Sequence, residues 1–264
     1  MTRSFPAYVL LAFLAGCQTS PETFNKPMSR TFAESTPLEQ TWLLGSFWLP
    51  ASATKSGEVE DVRKWESETG WRQTIDSALA DPQKKIPVAV FLHGCGGLSA
   101  TNWLFIELLM NEGFVVIAPD SFARLNRQPQ CYAQSSQTYR YRIDEARYAL
   151  SRLTGVSWVD ENKLILAGHS EGGEAVGMWS YPGYAALIST GADCDETNGK
   201  FSASADTPAL SLVGSMDPRE LTPCSVSGRG SGSNARIVKG ADHQVYTYPE
   251  AQEEIRKFLK NCCN

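Results

Sequence analysis

The chain has 264 residues, of which 42% are hydrophobic and 20% charged, and its formal net charge is −5. This length and balance are typical of one globular domain with a sizeable core, and they exclude wholesale disorder. A mildly acidic chain without a basic stripe is a poor candidate for nucleic-acid binding, so no nucleic-acid partner is expected.

The N-terminal segment predicts export. Arg3 supplies a positive charge, residues 8–14 are apolar, and Leu14-Ala15-Gly16-Cys17 follows. The run is shorter than the 20 or so residues of a membrane span and has the layout of an export signal. Its ending resembles the lipobox of bacterial lipoproteins, which implies a signal peptide over residues 1–16 and a lipid on Cys17. We therefore expect a lipid-anchored protein on a bacterial cell membrane, facing the periplasm or the exterior. An ordinary signal peptide with a nearby cleavage site and an uncleaved apolar start are the alternatives.

The next segments lead into the folded domain. Residues 17–41 are rich in Ser, Thr, Pro, Glu and Asn and predict a flexible tether, with the domain following over residues 42–264. Residues 42–49 are apolar and aromatic and predict a first strand. In the polar stretch after it, Trp65 and Trp71 indicate a short helix packed on the domain.

Beyond residue 85, short apolar runs alternate with helical periodicity. The predicted strands are residues 87–92, 114–118, 163–167, 185–189, 209–213 and 235–238. The predicted helices are residues 101–111, 139–153, 170–179 and 250–259. This alternation predicts an α/β fold, with a mostly parallel sheet covered by helices on both faces. Functional sites in such sheets form at the carboxyl ends of the strands.

A glycine-rich loop, His93-Gly94-Cys95-Gly96-Gly97, follows the strand at residues 87–92. It is similar to the His-Gly-Gly-Gly type of oxyanion loop, in which backbone N–H groups turn inward to bind a developing negative charge. We expect the N–H groups of Cys95 and Glu171 to form the oxyanion hole. A catalytic role for the Cys95 thiol and a purely structural turn are the alternatives.

A second glycine-rich segment, Gly168-His169-Ser170-Glu171-Gly172-Gly173, joins the strand at residues 163–167 to a helix. A Gly-x-Ser-x-Gly motif between a strand and a helix predicts a nucleophile elbow. Small residues two before and two after the serine keep strand and helix from clashing, and the helix N-terminus adds partial positive charge. Ser170 is therefore the predicted nucleophile, with a capping serine in an ordinary turn as the alternative.

An acid and a base follow the last two predicted strands. Asp217 comes directly after residues 209–213, and His243 follows residues 235–238. The order Ser, acid, His is the one found in α/β-hydrolases. His93 and His169 belong to the two glycine-rich segments, so His243 is the remaining base among three histidines. Asp217 is the predicted acid. The competing acids are Asp242, Asp193, Asp195 and Asp206.

Six cysteines follow Cys17: Cys95, Cys131, Cys194, Cys224, Cys262 and Cys263. An exported protein with an even number of cysteines can form disulfides, and six cysteines allow 15 pairings. Free, buried thiols are the alternative. No Cys-x-x-Cys or His-rich zinc spacing is present in the sequence, and neither a metal nor an organic cofactor is indicated.

Together, the motifs HGCGG, GHSEGG, GSMDP and GADHQ, with Pro119-Asp120-Ser121-Phe122 before Arg124 and Cys131, resemble the dienelactone hydrolase-like branch of the α/β-hydrolases. The resemblance covers residues 86–260. It implies an eight-stranded sheet, little or no lid, small ester or lactone substrates, and a possible approach of Cys95 to Cys131. Dienelactone hydrolases proper have cysteine at the elbow, so general ester hydrolysis is the better expectation here. Glu171 and Arg124 are candidate substrate contacts, and solvation of Glu171 or its pairing with a nearby arginine is the alternative.

The sequence thus predicts a serine hydrolase that cleaves a small-molecule carboxylic ester through an acyl-enzyme. A serine peptidase related to prolyl oligopeptidases shares the Gly-x-Ser-x-Gly-Gly motif, although the chain has no room for a propeller domain. A binding lipoprotein that has lost catalysis is the third hypothesis. Acyl transfer to an acceptor other than water would need only an acceptor site.

Overall fold

The computed structural model describes residues 35–63, 70–124, 127, 131 and 136–263. The predicted signal peptide, Cys17 and most of the predicted tether lie outside these residues. Among the helices that the structure describes, none is long and apolar enough to cross a membrane.

A single eight-stranded sheet runs through the domain. Its strands are β1 (Ser46–Leu49), β2 (Glu60–Arg63), β3 (Ile86–Leu92), β4 (Val115–Ala118), β5 (Val159–His169), β6 (Ala186–Thr190), β7 (Ala209–Gly214) and β8 (Asn234–Val238). They are ordered β2-β1-β4-β3-β5-β6-β7-β8. The strands β3 to β8 are parallel, whereas β1 runs antiparallel to both of its neighbours. The mostly parallel sheet predicted from the apolar runs is therefore confirmed.

Helices cover both faces of the sheet. They are α1 (Pro37–Leu43), α2 (Gly70–Ala78), α3 (Ala100–Asn111), α4 (Ser136–Leu153), α5 (Glu171–Gly177) and α6 (Pro249–Cys262). Alternate residues of β3 enter two separate cores: Val88 and Val90 pack with α1, α2, α4 and α5, and Ala89 and Phe91 pack with α3 and α6. Burial on both faces explains why the central strands are continuous apolar runs in the sequence.

The folded domain begins earlier than predicted, because residues 37–43 form α1. Thr36 and Glu39 make a reciprocal capping box at its start, each side chain accepting the other residue's backbone N–H. Trp42 is buried on this helix. The predicted tether over residues 17–41 therefore overlaps the domain, and the predicted first strand starts too early.

The edge strand β2 was not predicted. Its sequence, Glu-Asp-Val-Arg, is charged and lacks the apolar run that marks a buried strand. Charged residues on an edge strand hinder pairing with another chain. Trp71 is fully buried on α2, which confirms a helix packed against the domain in this region. Trp65 lies outside the described residues.

Candidate active site

Ser170 occupies a sharp turn between β5 and α5. Its backbone has φ 56° and ψ −124°, a left-handed conformation that an L-residue adopts only under constraint. Two backbone hydrogen bonds hold the turn. The Ser170 N–H donates to the Thr190 carbonyl (2.9 Å), and the Glu174 N–H donates to the Ser170 carbonyl (2.9 Å). The chain therefore places this side chain at the carboxyl end of β5, as the motif predicts.

The glycines around Ser170 are required by close backbone contacts. A Cβ atom on Gly168 would lie 2.4 Å from the Gly172 carbonyl oxygen, and one on Gly172 would lie 2.0 Å from the Leu92 carbonyl oxygen. Backbone atoms cannot move aside as flexible side chains can. The Gly-x-Ser-x-Gly spacing thus allows β5, α5 and the end of β3 to meet.

Replacing Gly172 with alanine should destabilise the fold strongly. The new methyl group overlaps the Leu92 carbonyl, so we expect a loss of roughly 3 kcal/mol or more of unfolding free energy, measured by urea denaturation. Gly96→Ala is the matched control, because a Cβ there meets nothing within 4 Å. Equal stability of the two variants would contradict the close contact.

Asp217 and His243 are brought together at the carboxyl ends of β7 and β8. The Nδ1 atom of His243 lies 2.7 Å from Oδ2 of Asp217. The carboxylate side chain is fully buried, while the imidazole is 23% exposed. A carboxylate accepts a hydrogen bond from Nδ1–H, so the other ring nitrogen, Nε2, carries the lone pair that a general base needs.

The competing acids have other positions. Asp242 accepts a hydrogen bond from the Gln244 N–H (2.9 Å), and Asp193 accepts one from the Asp195 N–H (3.4 Å). Within the described part of the chain, Asp217 is the carboxylate in hydrogen-bond contact with His243.

Arg219 lies against the histidine and was not anticipated from the sequence. Its Nη2 atom is 2.9 Å from Nδ1 and 3.2 Å from Nε2 of His243, and it donates to the Gly191 carbonyl (2.6 Å). Burial lowers the pKa of His243, and the Arg219 charge lowers it further, against the raising effect of Asp217. Burial and the Arg219 charge thus both favour the neutral ring, which is the form that can accept a proton.

The other two histidines are buried and structural. His169 bonds to the Thr190 carbonyl (3.1 Å), and its ring centroid lies 4.7 Å from that of His243, so it forms a wall behind the base. Burial, with the nearby His243, lowers the pKa of His169 to about 3. His93 accepts a hydrogen bond from the Ser121 N–H (3.2 Å).

The predicted oxyanion loop folds as a tight turn beside Ser170. The Gly97 N–H donates to the Gly94 carbonyl (3.1 Å), and a Cβ on Gly94 would lie 3.2 Å from the Ser170 Cβ. Within the described residues, the N–H groups of Cys95 and Glu171 donate no hydrogen bond. Both are therefore available to an oxyanion. The Cys95 sulfur is bonded to Cys131, so it is not a free nucleophile.

A buried ionic network supports both of these segments. Arg142, fully buried on α4, donates to the His93 carbonyl, pairs with Glu145 (2.6 Å) and lies 3.6 Å from the Glu171 carboxylate. Arg127 also pairs with Glu171. Glu171 is thus held by arginines.

Arg124 is likewise engaged by the protein. Its Nε lies 3.0 Å from a carboxylate oxygen of Glu145. Glu171 thus pairs with arginine, the alternative role expected for it, and Arg124 pairs with Glu145, while a substrate contact of either residue stays a prediction. The sequence does not predict the pairing of Arg124 with Glu145 or of Arg127 with Glu171, because the two members of each pair are far apart along the chain.

A cavity of about 400 Å³ unites these elements. The residues that line it are Gly94, Cys95, Gly96, Gly97, Ser99, Thr101, Asn102, Cys131, His169, Ser170, Asp217, Pro218, Arg219, His243 and Gln244. The same cavity is thus lined by Ser170, by Asp217 and His243, and by the glycine-rich loop. No group of three or more His, Cys, Asp and Glu side chains suited to a metal occurs in the described ranges.

A second disulfide joins Cys194 to Cys224, next to Gly177 on α5. Cys262 and Cys263, at the end of α6, are free thiols. The pairing of Cys95 with Cys131 implied by the resemblance is confirmed, and two of the three disulfides that six cysteines allow are formed.

Glu174, one turn after Ser170, should make stability depend on pH. Burial raises the pKa of its carboxyl group from 4.5 to about 7, against the hydrogen bond from Tyr139. A raised folded-state pKa stabilises the fold fully below the unfolded-state value, and this contribution is lost as pH rises through the folded-state value. The wild-type melting temperature should therefore fall between about pH 4.5 and pH 8 relative to that of Glu174→Gln.

The two proteins should melt together at the acid end of this range. Glu253→Gln, at a 73% exposed site on α6, is the control and should follow the wild type throughout. If the melting temperatures of Glu174→Gln and wild type differ by the same amount at all pH values, this prediction is contradicted.

Comparisons with known proteins support the fold. The chain matches no family model and no curated protein. The esterase Est1E from Butyrivibrio proteoclasticus is similar in structure, with 16% identity, a TM-score of 0.50, and coverage of 69% of this chain and 89% of that one. The Thermogutta terrifontis esterase Est2 with bound propionate has 16% identity, a TM-score of 0.46, and coverage of 68% and 85%. Esterase PE8 has 16% identity, a TM-score of 0.44, and coverage of 68% and 94%. With the sheet order and elbow described above, the likeness to Est1E identifies an α/β-hydrolase fold.

Proposed function

We propose that this chain is a serine hydrolase that cleaves small carboxylic esters through an acyl-enzyme. The proposal rests on one cavity. Its lining includes the strained Ser170, the Asp217–His243 pair and the turn at residues 94–97. These are the nucleophile, base, acid and oxyanion site that acyl transfer requires.

The proposed reaction begins with attack of the Ser170 hydroxyl on the ester carbonyl. His243 takes the serine proton on Nε2, and Asp217 stabilises the imidazolium that forms. The N–H groups of Cys95 and Glu171 receive the oxyanion, each contributing about 3 kcal/mol to the transition state. The protonated histidine then gives its proton to the leaving alcohol, and water releases the acid by the same route.

The cavity supports a small substrate. Its volume of about 400 Å³ is at the lower end of ligand sites, and its lining includes hydroxyl, amide and guanidinium groups. We expect esters of short acids, with two to four carbons, to be hydrolysed faster than esters of long acids. We also propose that a lipid on Cys17 anchors the enzyme to a membrane outside the cytoplasm, as the sequence predicts.

A panel of p-nitrophenyl esters of increasing acyl length tests this function, assayed beside a peptide p-nitroanilide and with Ser170→Ala protein as the blank. We expect ester hydrolysis that declines with chain length and negligible amide hydrolysis. Cleavage of the anilide alone would indicate the peptidase instead. A folded protein that cleaves neither would support a binding protein.

A further inference from the structure

Two disulfides in the described residues differ in their place and exposure. Cys95 and Cys131 both line the candidate active-site cavity, and Cys131 is exposed to solvent. Cys194 and Cys224 are 4% and 0% exposed and are not among the residues of that cavity. A soluble thiol can therefore reach the first bond in the folded protein, but not the second.

The turn that carries Cys95 is anchored at its ends, where the Gly97 N–H donates to the Gly94 carbonyl and Arg142 donates to the His93 carbonyl, but its middle is open. Cys95 is flanked by Gly94 on one side and by Gly96 and Gly97 on the other, and glycine permits more backbone conformations than any other residue. A Cβ on Gly96 would meet nothing within 4 Å, so this part of the turn lies in open space. A bond at Cys95 itself, in the middle of the turn, can therefore help to fix the direction of its N–H.

The disulfide supplies that bond at Cys95. The Cys95 N–H donates to no other described residue, which leaves it available to bind an oxyanion. We propose that Cys131 is a positioning residue: through its bond to Cys95 it holds this N–H toward the cavity, so hydrolysis depends on the oxidised state of this one disulfide. The proposal rests on the ester hydrolase function proposed above.

Reduction would proceed by thiol–disulfide exchange with a dithiol. One thiolate of the dithiol attacks the exposed Cys131 sulfur, the Cys95–Cys131 bond breaks, and Cys95 leaves as a thiolate that takes up a proton. The second thiolate then attacks the mixed disulfide and releases Cys131. Two protein thiols form, and the dithiol becomes a cyclic disulfide, so the two electrons are accounted for.

Dithiothreitol, followed by iodoacetamide and peptide mass mapping, provides the test on the folded wild-type protein. We expect Cys95 and Cys131 to be alkylated at reductant concentrations that leave Cys194 and Cys224 bonded. Over the same range kcat should fall about 100-fold, the loss typical of one oxyanion donor, while KM changes little. Reoxidation before alkylation should restore kcat. Unchanged kcat with both thiols fully alkylated would overturn the proposal.

Two variants separate positioning from general stabilisation. Cys131→Ser removes the disulfide without changing residue 95 itself, and it should show the same fall in kcat at temperatures where it is fully folded. The double variant Cys194→Ser/Cys224→Ser loses the other disulfide and should melt at a lower temperature with kcat unchanged. A purely structural role predicts lower melting temperatures in both and normal kcat in both. If the oxidised wild type cleaves no ester, the proposed function fails first and this inference fails with it.

Discussion

We expect Ser170→Ala to lower kcat for ester hydrolysis by about a million-fold, with little change in the melting temperature. The size of the loss is that expected when the nucleophile of a serine triad is removed. Alanine and serine are both L-residues with a Cβ, so the strain at φ 56° is similar in the variant and stability should be preserved. Initial rates on a short p-nitrophenyl ester, with circular dichroism to verify folding, measure the effect.

Ser99→Ala is the matched control for this result. Ser99 lines the same cavity, but its hydroxyl bonds to Thr101 (2.8 Å) rather than to a base. We expect its kcat to stay within a few-fold of wild type. A Ser170→Ala enzyme that keeps more than a hundredth of wild-type activity would show that another group attacks the ester.

Asp217→Asn has the second largest expected effect, a fall of about 10⁴-fold in kcat. The asparagine amide can donate to Nδ1 of His243, so the ring proton moves to Nε2 and the lone pair that should accept the serine proton is lost. The buried carboxylate also lies 3.7 Å from Nε of Arg219, and this ion pair disappears as well.

Asp242→Asn distinguishes the two acids that the sequence leaves in competition. The Asp242 carboxylate bonds to the Gln244 N–H and is adjacent to His243 in the chain. We expect its replacement to change kcat by less than about ten-fold, because this carboxylate bonds to a backbone N–H and Asp217 bonds to the imidazole. A ten-fold change corresponds to about 1.4 kcal/mol of transition-state stabilisation. The reverse result, an active Asp217→Asn and an inactive Asp242→Asn, would reassign the acid.

Much of the fold could be predicted because the central strands are buried on both faces. Burial of that kind leaves continuous apolar runs, and residues 209–213 and 114–118 coincide with β7 and β4 to within one residue. The charged edge strand β2 leaves no such run and was missed. Residues 37–41 of helix α1 were assigned to the tether, although the Thr36-x-x-Glu39 pattern of its capping box is visible in the sequence, because seven residues are too few to show helical periodicity.

The candidate site was predictable to the extent that local motifs determine it. The glycines beside Ser170 reflect contacts within one strand–turn–helix unit, and Asp217 and His243 each directly follow a recognisable strand. Arg219 could have been suspected from its position two residues after Asp217. The pairing of Arg142 with Glu171 could not, because it joins two helices across the core and leaves no periodic pattern.

Covalent labelling of Ser170 tests most directly whether this serine is the nucleophile that forms the acyl-enzyme. The wild-type protein and Ser170→Ala would be treated with diethyl p-nitrophenyl phosphate, which phosphorylates serine nucleophiles, and then examined by intact mass and peptide mapping. We expect one diethylphosphoryl group per wild-type chain, on the peptide that contains Ser170, and none on the variant. A folded wild-type protein that remains unmodified, or that is modified equally with and without Ser170, would contradict this role of the serine.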